Sequence, residues 1–81
     1  MNNNKNFINY TIFLNLISLK CPMPIIKLKF VLRAMKKKEK LLVLSDDIYS
    51  KREILFFCNC MDYKIIYLLE KNNFLQYLIK K

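Results

Sequence analysis

Two prolines separated by one residue, in Cys21-Pro22-Met23-Pro24, constrain this chain more than any other feature. A proline has no N–H for a sheet ladder and fixes φ at about −65°, so such a pair fits regular structure only in the first turn of a helix, where N–H groups have no intrahelical partner. A helix therefore starts at Pro22. Its body, Ile25 to about Lys36, carries Ile25, Leu28, Val31, Leu32 and Met35 on one face at the helical period, with Lys27, Lys29 and Arg33 off that face. The result is an amphipathic helix with a basic outer side.

The elements on either side follow from that anchor. Tyr10 to Leu16 alternate, with Ile12, Leu14 and Leu16 on one side of a strand, while residues 1–9 are polar and expected to form a flexible segment. Residues 10–81 are then a single domain. Leu41-Leu42-Val43-Leu44 is the unbroken apolar run of a central buried strand, ended by Asp46-Asp47. Ser50 with Glu53 has the spacing of a capping box, and Ile54, Phe57, Cys58 and Met61 share one face of the helix it opens. Tyr63 to Leu69 and Phe74 to Ile79 read as strands, joined through Asn72-Asn73, a residue type that tolerates the positive φ of a hairpin turn. The order is β-α-β-α-β-β. Its economical packing is a two-layer α/β (α+β) sandwich, a four-stranded sheet with both helices on one face.

A length of 81 residues excludes a two-domain enzyme, and a 54% hydrophobic composition suffices for a core. No apolar window reaches the ~18 residues of a membrane span, so no membrane partner is expected. Fifteen Lys and Arg against six Asp and Glu give a charge of +9, which points to partners with negative surfaces. Thirteen of the fifteen are Lys, which lacks the planar fork that reads base edges, so sequence-specific nucleic-acid recognition is not expected. A basic nucleic-acid-binding module, contacting RNA through Lys36 to Lys40 and exposed tyrosines, is the alternative the charge keeps open. One Ala and no Gly beside abundant Lys, Asn and Ile are also what AT-biased coding produces, so part of the charge reads as drift.

The absence of histidine excludes Ser-His and Cys-His hydrolysis and any His-bearing zinc site. Three cysteines and no recognisable secretory leader fit a reducing cytoplasm. Cys21 stands at the start of the first helix, where unpaired N–H groups and the helix dipole favour a thiolate, and Lys20 and Lys27 add positive potential, so its pKa is expected below the usual ~8.5. Pro24 is expected to restrict the chain that holds Cys21 more than to stabilise the fold. Cys58, on the apolar side of the second helix, reads as a buried inert thiol. Cys58 and Cys60 together are at most half a metal site, so neither metal nor cofactor is expected; a redox cycle of Cys21 with Cys58 or Cys60 is a third reading. Asp46 and Asp47, adjacent on a turn, read as helix-capping or solvated carboxylates and not as an acid–base pair.

Leu19-Lys20-Cys21-Pro22-Met23-Pro24, the basic helix after it, the strand Leu41 to Asp47 ending in Asp-Asp, Arg52-Glu53, Phe57-Cys58 and the closing Tyr77-Leu78-Ile79 resemble the SirA/TusA family of sulfur carriers. The resemblance runs without a gap from about Asn15 to Lys81. It implies a two-layer sandwich of the order read above, with Cys21 as the residue that becomes a persulfide. Sulfur would come from a cysteine desulfurase and pass to a TusBCD-type relay complex for 2-thiolation of the tRNA wobble uridine (5-methylaminomethyl-2-thiouridine synthesis); relatives also serve other acceptor pathways. The family usually places Gly before its Cys motif, where this chain has Ser18, and often Pro-Gly in the helix-to-strand loop, where it has Lys37-Lys38. Those differences bear on backbone stability more than on chemistry. Cys60 matches nothing in the family pattern and is assigned no role.

Overall fold

The computed structural model describes residues 9–81. The expected flexible segment 1–9 thus lies outside the described residues except for Asn9, which is exposed. Strand β1 spans Ile12–Leu16, helix α1 Met23–Ala34, β2 Lys40–Ser45, α2 Lys51–Cys60, β3 Lys64–Lys71 and β4 Phe74–Lys80, with a 3-10 turn at Ile48–Ser50 leading into α2. The element order is the one read from periodicity.

The sheet order is β1-β2-β4-β3, with β1 parallel to β2 and the other pairs antiparallel. The parallel pair requires a crossover, which α1 supplies; the antiparallel pair β3–β4 needs only a tight turn. That turn is Asn72-Asn73, with φ of 52° and 68°, between the paired Lys71 and Phe74. Asn takes this left-handed conformation at less cost than most residues, which is why the hairpin closes here without glycine.

One core lies between the sheet and the helices. Leu28 and Leu32 of α1 and Ile54 and Cys58 of α2 are fully buried against Leu16, Leu41, Val43 and Tyr77. Burying a side chain of the Leu type contributes about 1.5–3 kcal/mol, so these positions dominate the stability of a small domain. The expected α1 face is buried except for Val31, which is half-buried. On α2 the expected Met61 is 45% exposed, because the helix ends at Cys60 and Met61 is its C-cap. Pro24 is fully buried, so it belongs to the core as well as to the reactive loop, and its truncation would cost packing too. Lys81 closes the structure: its Nζ donates to the carbonyls of Arg33 and Met35 at 3.1 and 2.7 Å, satisfying acceptors at the C-terminal end of α1.

Two further positive φ angles fall at positions where the resemblance implies glycine. Ser18 and Lys38 both sit at 73°. A left-handed residue with a Cβ costs about 1 kcal/mol, and Gly avoids that at some cost in unfolded-state entropy. Lys38→Gly is therefore expected to stabilise the domain by about 0.5–1 kcal/mol, read as a rise in the denaturant midpoint at constant slope. A midpoint that stays or falls would show that the loop carries no such strain.

Candidate functional site

Cys21 lies in the loop that joins β1 to α1, and the end of β2 holds that loop in place. Asp46 Oδ1 accepts the Ser18 N–H at 2.9 Å, and Asp47 Oδ2 accepts the Cys21 N–H at 2.7 Å. The adjacent carboxylates thus diverge, as a turn requires, and each ties down one end of the loop. Asp47 is 4% exposed and does more: Ser50 Oγ donates to Oδ2 at 2.8 Å and the Tyr49 N–H to Oδ1 at 3.2 Å. Burial alone would raise this carboxyl; the hydrogen bonds from Ser50, Cys21 and Tyr49, together with the Lys20 charge, outweigh it and hold it below the ordinary carboxylate range.

This arrangement revises the capping box. Ser50 is the N-cap residue of α2, but its hydroxyl makes no cap bond because it is spent on Asp47, and Asp47 caps the 3-10 turn instead. Glu53 is free for another contact: its Oε1 accepts from the Cys21 thiol at 3.8 Å. Sequence reasoning reads Asp47 as a capping carboxylate, but does not show that it takes the Ser50 hydroxyl and leaves Glu53 to Cys21. The signal available was the spacing Asp47-x-x-Ser50, which reads as an Asx cap one turn upstream of the one chosen.

The surroundings of Cys21 also reverse the expected direction of its pKa. Pro22 is the N-cap of α1 and makes no side-chain cap bond, so Cys21 stands one residue outside the helix; the Cys21–Pro22 bond is cis. The sulfur is exposed, yet it sits beside two carboxylates. Desolvation by the flanking chain, the charges of Glu53 and Asp47 and the hydrogen bond to Glu53 all raise the thiol above its ordinary value, and the bond with Ser50 only partly opposes them. Negative charge at contact distance outweighs the fractional positive charge of a helix end. Glu53→Gln, which removes the charge and keeps the shape, is expected to lower the Cys21 titration and speed its alkylation at neutral pH several-fold. An unchanged alkylation profile would mean that Glu53 does not govern the thiol.

The other cysteines are placed as follows. Cys58 is fully buried, and burial pushes its thiol up to about 11, in keeping with an inert core position. Cys60 is exposed at the C-terminal end of α2, two residues on and on another side of the helix, so the two thiols do not converge on one point. The seven helical steps from Glu53 to Cys60 span about 10 Å, so a Cys21 sulfur seated on Glu53 is out of disulfide range of Cys60. The geometry gives the redox-pair reading no support.

The surface next to Cys21 is broad and shallow. A groove of about 510 Å³ along the outer side of α1 is lined by Leu14, Met23, Ile26, Phe30 and the stems of Lys27 and Arg33. Ile26 is 51% and Phe30 78% exposed, so the basic side of α1 has an apolar centre that the helical period did not reveal. None of the helices among the described residues is long and apolar enough to cross a membrane.

Fold and site together define a small α+β domain, helices on one side of a mixed sheet, that offers an exposed thiol from its first strand-to-helix loop, with a groove along the outer side of the helix that follows. The family model described as Sulfurtransferase TusA matches residues 12–81, and the chain belongs to that family. Its fold is shared with the crystal structure of a SirA-like protein from Desulfitobacterium hafniense, 24% identical, with a TM-score of 0.73 over 86% of this chain and 96% of that chain. Membership supports a sulfur carrier's role. It implies sulfur-relay partners in general terms.

Proposed function

We propose that the protein carries sulfur as a persulfide on Cys21, taking it from a cysteine desulfurase and passing it to a TusBCD-type relay for 2-thiolation of the tRNA wobble uridine in the cytoplasm. The observation that carries the reading is the tethering of Cys21: its N–H is fixed to Asp47 while its sulfur remains exposed beside Glu53. In the loading step the Cys21 thiolate attacks the outer sulfur of a donor persulfide, the inner donor sulfur leaves as a thiolate, and the S–S bond is exchanged with no net oxidation. The Cys21 thiol donates to Glu53, and the departing donor thiolate takes up the proton that Cys21 releases. Unloading repeats the exchange, with an acceptor thiolate attacking the outer sulfur now on Cys21. A raised thiol pKa suits a carrier: the resting thiol is protected from adventitious oxidation until a basic or desolvated partner site draws its proton.

Lys20 beside the loop and Lys27 and Arg33 around the α1 groove support an acidic docking surface on the donor. The test is incubation with a cysteine desulfurase and cysteine, followed by intact mass and peptide mapping. The expected result is a gain of one sulfur atom on the peptide containing Cys21, removed by reductant. Sulfur on the peptides of Cys58 or Cys60 instead would overturn the assignment.

A further inference from the structure

The sheet face turned away from the helices is apolar, aromatic and basic, and no helix among the described residues lies on it. Strand register places Phe13, Leu42, Leu78 and Tyr67 in one row across all four strands, with Asn15, Leu44, Gln76 and Leu69 in the next. Leu42 and Leu78 are buried by neighbours on this face, outside the core beneath the helices. Phe13 is 46% and Phe74 56% exposed, and Tyr10 packs against Phe13 with ring centres 6.2 Å apart. Lys40, Lys80 and Lys64 form a row of like charge at one end of the face, and Lys71 stands beside Phe74 at the other. No strand residue on this face is acidic: Glu70 points to the helix side, where it pairs with Lys51 at 2.9 Å, and Asp46, just past β2, is engaged by the Ser18 N–H.

We propose that this face is a platform for single-stranded RNA, bound without sequence preference. Four lysines and no carboxylate complement a polyanion, and the same balance, on a chain of charge +9, opposes pairing of two copies through this face. The rings decide among anionic partners. A sheet face carrying exposed aromatic side chains is the arrangement on which unpaired bases stack, at about 1–3 kcal/mol per base, whereas a duplex buries its base faces and gains only from the lysines. Phe13 and Tyr67 lie three strand spacings apart, about 14 Å, with the buried Leu42 and Leu78 between them. Gln76 Nε2 donates to Tyr67 Oη at 2.7 Å, which steadies the ring and leaves the Gln76 amide oxygen as an acceptor for a 2′-hydroxyl. The platform involves none of the residues around Cys21 and stands apart from the sulfur-carrier reading.

The test is fluorescence anisotropy of a labelled oligouridylate of about 20 nucleotides titrated with the full chain at increasing salt. Binding is expected to be saturable at low salt and to weaken with salt. Phe13→Ala and Phe74→Ala should each weaken it about tenfold, Phe13→Tyr should retain it, and Lys64→Glu with Lys80→Glu should weaken it and flatten the salt dependence. Lys37→Glu with Lys38→Glu, in the α1–β2 loop, should change it little. Each variant is checked for an unchanged melting temperature and for normal sulfur gain at Cys21, so that loss of the platform and failure of the carrier reading are separate results. The proposal is overturned by absence of saturable binding, by equal affinity for a duplex or an oligodeoxythymidylate of the same length, by loss confined to the Lys37 and Lys38 variants, or by competition from phosphatidylserine vesicles or polyglutamate at matched charge.

Discussion

Cys21→Ser is expected to abolish sulfur gain from a cysteine desulfurase, while Cys58→Ala and Cys60→Ser keep it. Serine is close in shape and leaves the backbone N–H bonded to Asp47, so the fold and the tether remain, and the atom that can form an S–S bond is lost. Cys60 is exposed but far from the tethered loop, and its replacement should leave both loading and stability near wild type. Cys58 is a core position, and its truncation should cost about 1 kcal/mol of stability without touching the transfer, because a thiol held at about 11 and shut off from solvent cannot attack a donor persulfide. Intact mass spectrometry of the three variants after loading decides the matter. Residual loading of Cys21→Ser equal to wild type would place the carrier sulfur elsewhere.

Periodicity was enough to order the elements, because each has a strong period and a physical stop. Two prolines fix the start of α1, Asp46-Asp47 ends β2, and Asn72-Asn73 supplies the φ values of the hairpin. The candidate nucleophile was legible for the same reason: Cys21 is tied in sequence to the feature that starts the helix. What surrounds it was not legible, since Asp47 and Glu53 reach Cys21 across 26 and 32 residues of chain and no local pattern reports such contacts. The reversed thiol pKa follows directly. The helix end and two lysines are visible along the chain, whereas desolvation by the flanking chain and two carboxylates come only with the fold. The open face of the sheet was hidden similarly: Leu42, Leu78 and Tyr67 each look like ordinary strand residues, and only the register puts them in one row with Phe13.

Asp47→Ala is expected to be the most damaging single substitution outside the apolar core. The carboxylate accepts from the Cys21 N–H, the Tyr49 N–H and the Ser50 hydroxyl while almost wholly buried, and its removal leaves these donors without their partner. An unsatisfied buried donor costs about 1–3 kcal/mol, and solvent reaching the vacated space recovers part of that, so the loss should be roughly 2–4 kcal/mol, or about 10–20 °C in melting temperature for a domain of this size. Sulfur loading should fall as well, because the loop loses its anchor at the reactive residue. The same contacts set the acid limit of stability. A carboxyl held below its unfolded value of about 3.9 contributes fully above that pH, and the contribution is lost as pH falls through the lowered folded value. Wild type should therefore lose stability below about pH 4 along a slope that Asp47→Asn, which does not titrate, lacks in part. Thermal melting of wild type, Asp47→Asn and Asp47→Ala across that range checks both expectations. If Asp47→Ala melts within a few degrees of wild type and loads sulfur normally, Asp47 is a passive cap, and the tether is not what holds Cys21 in place.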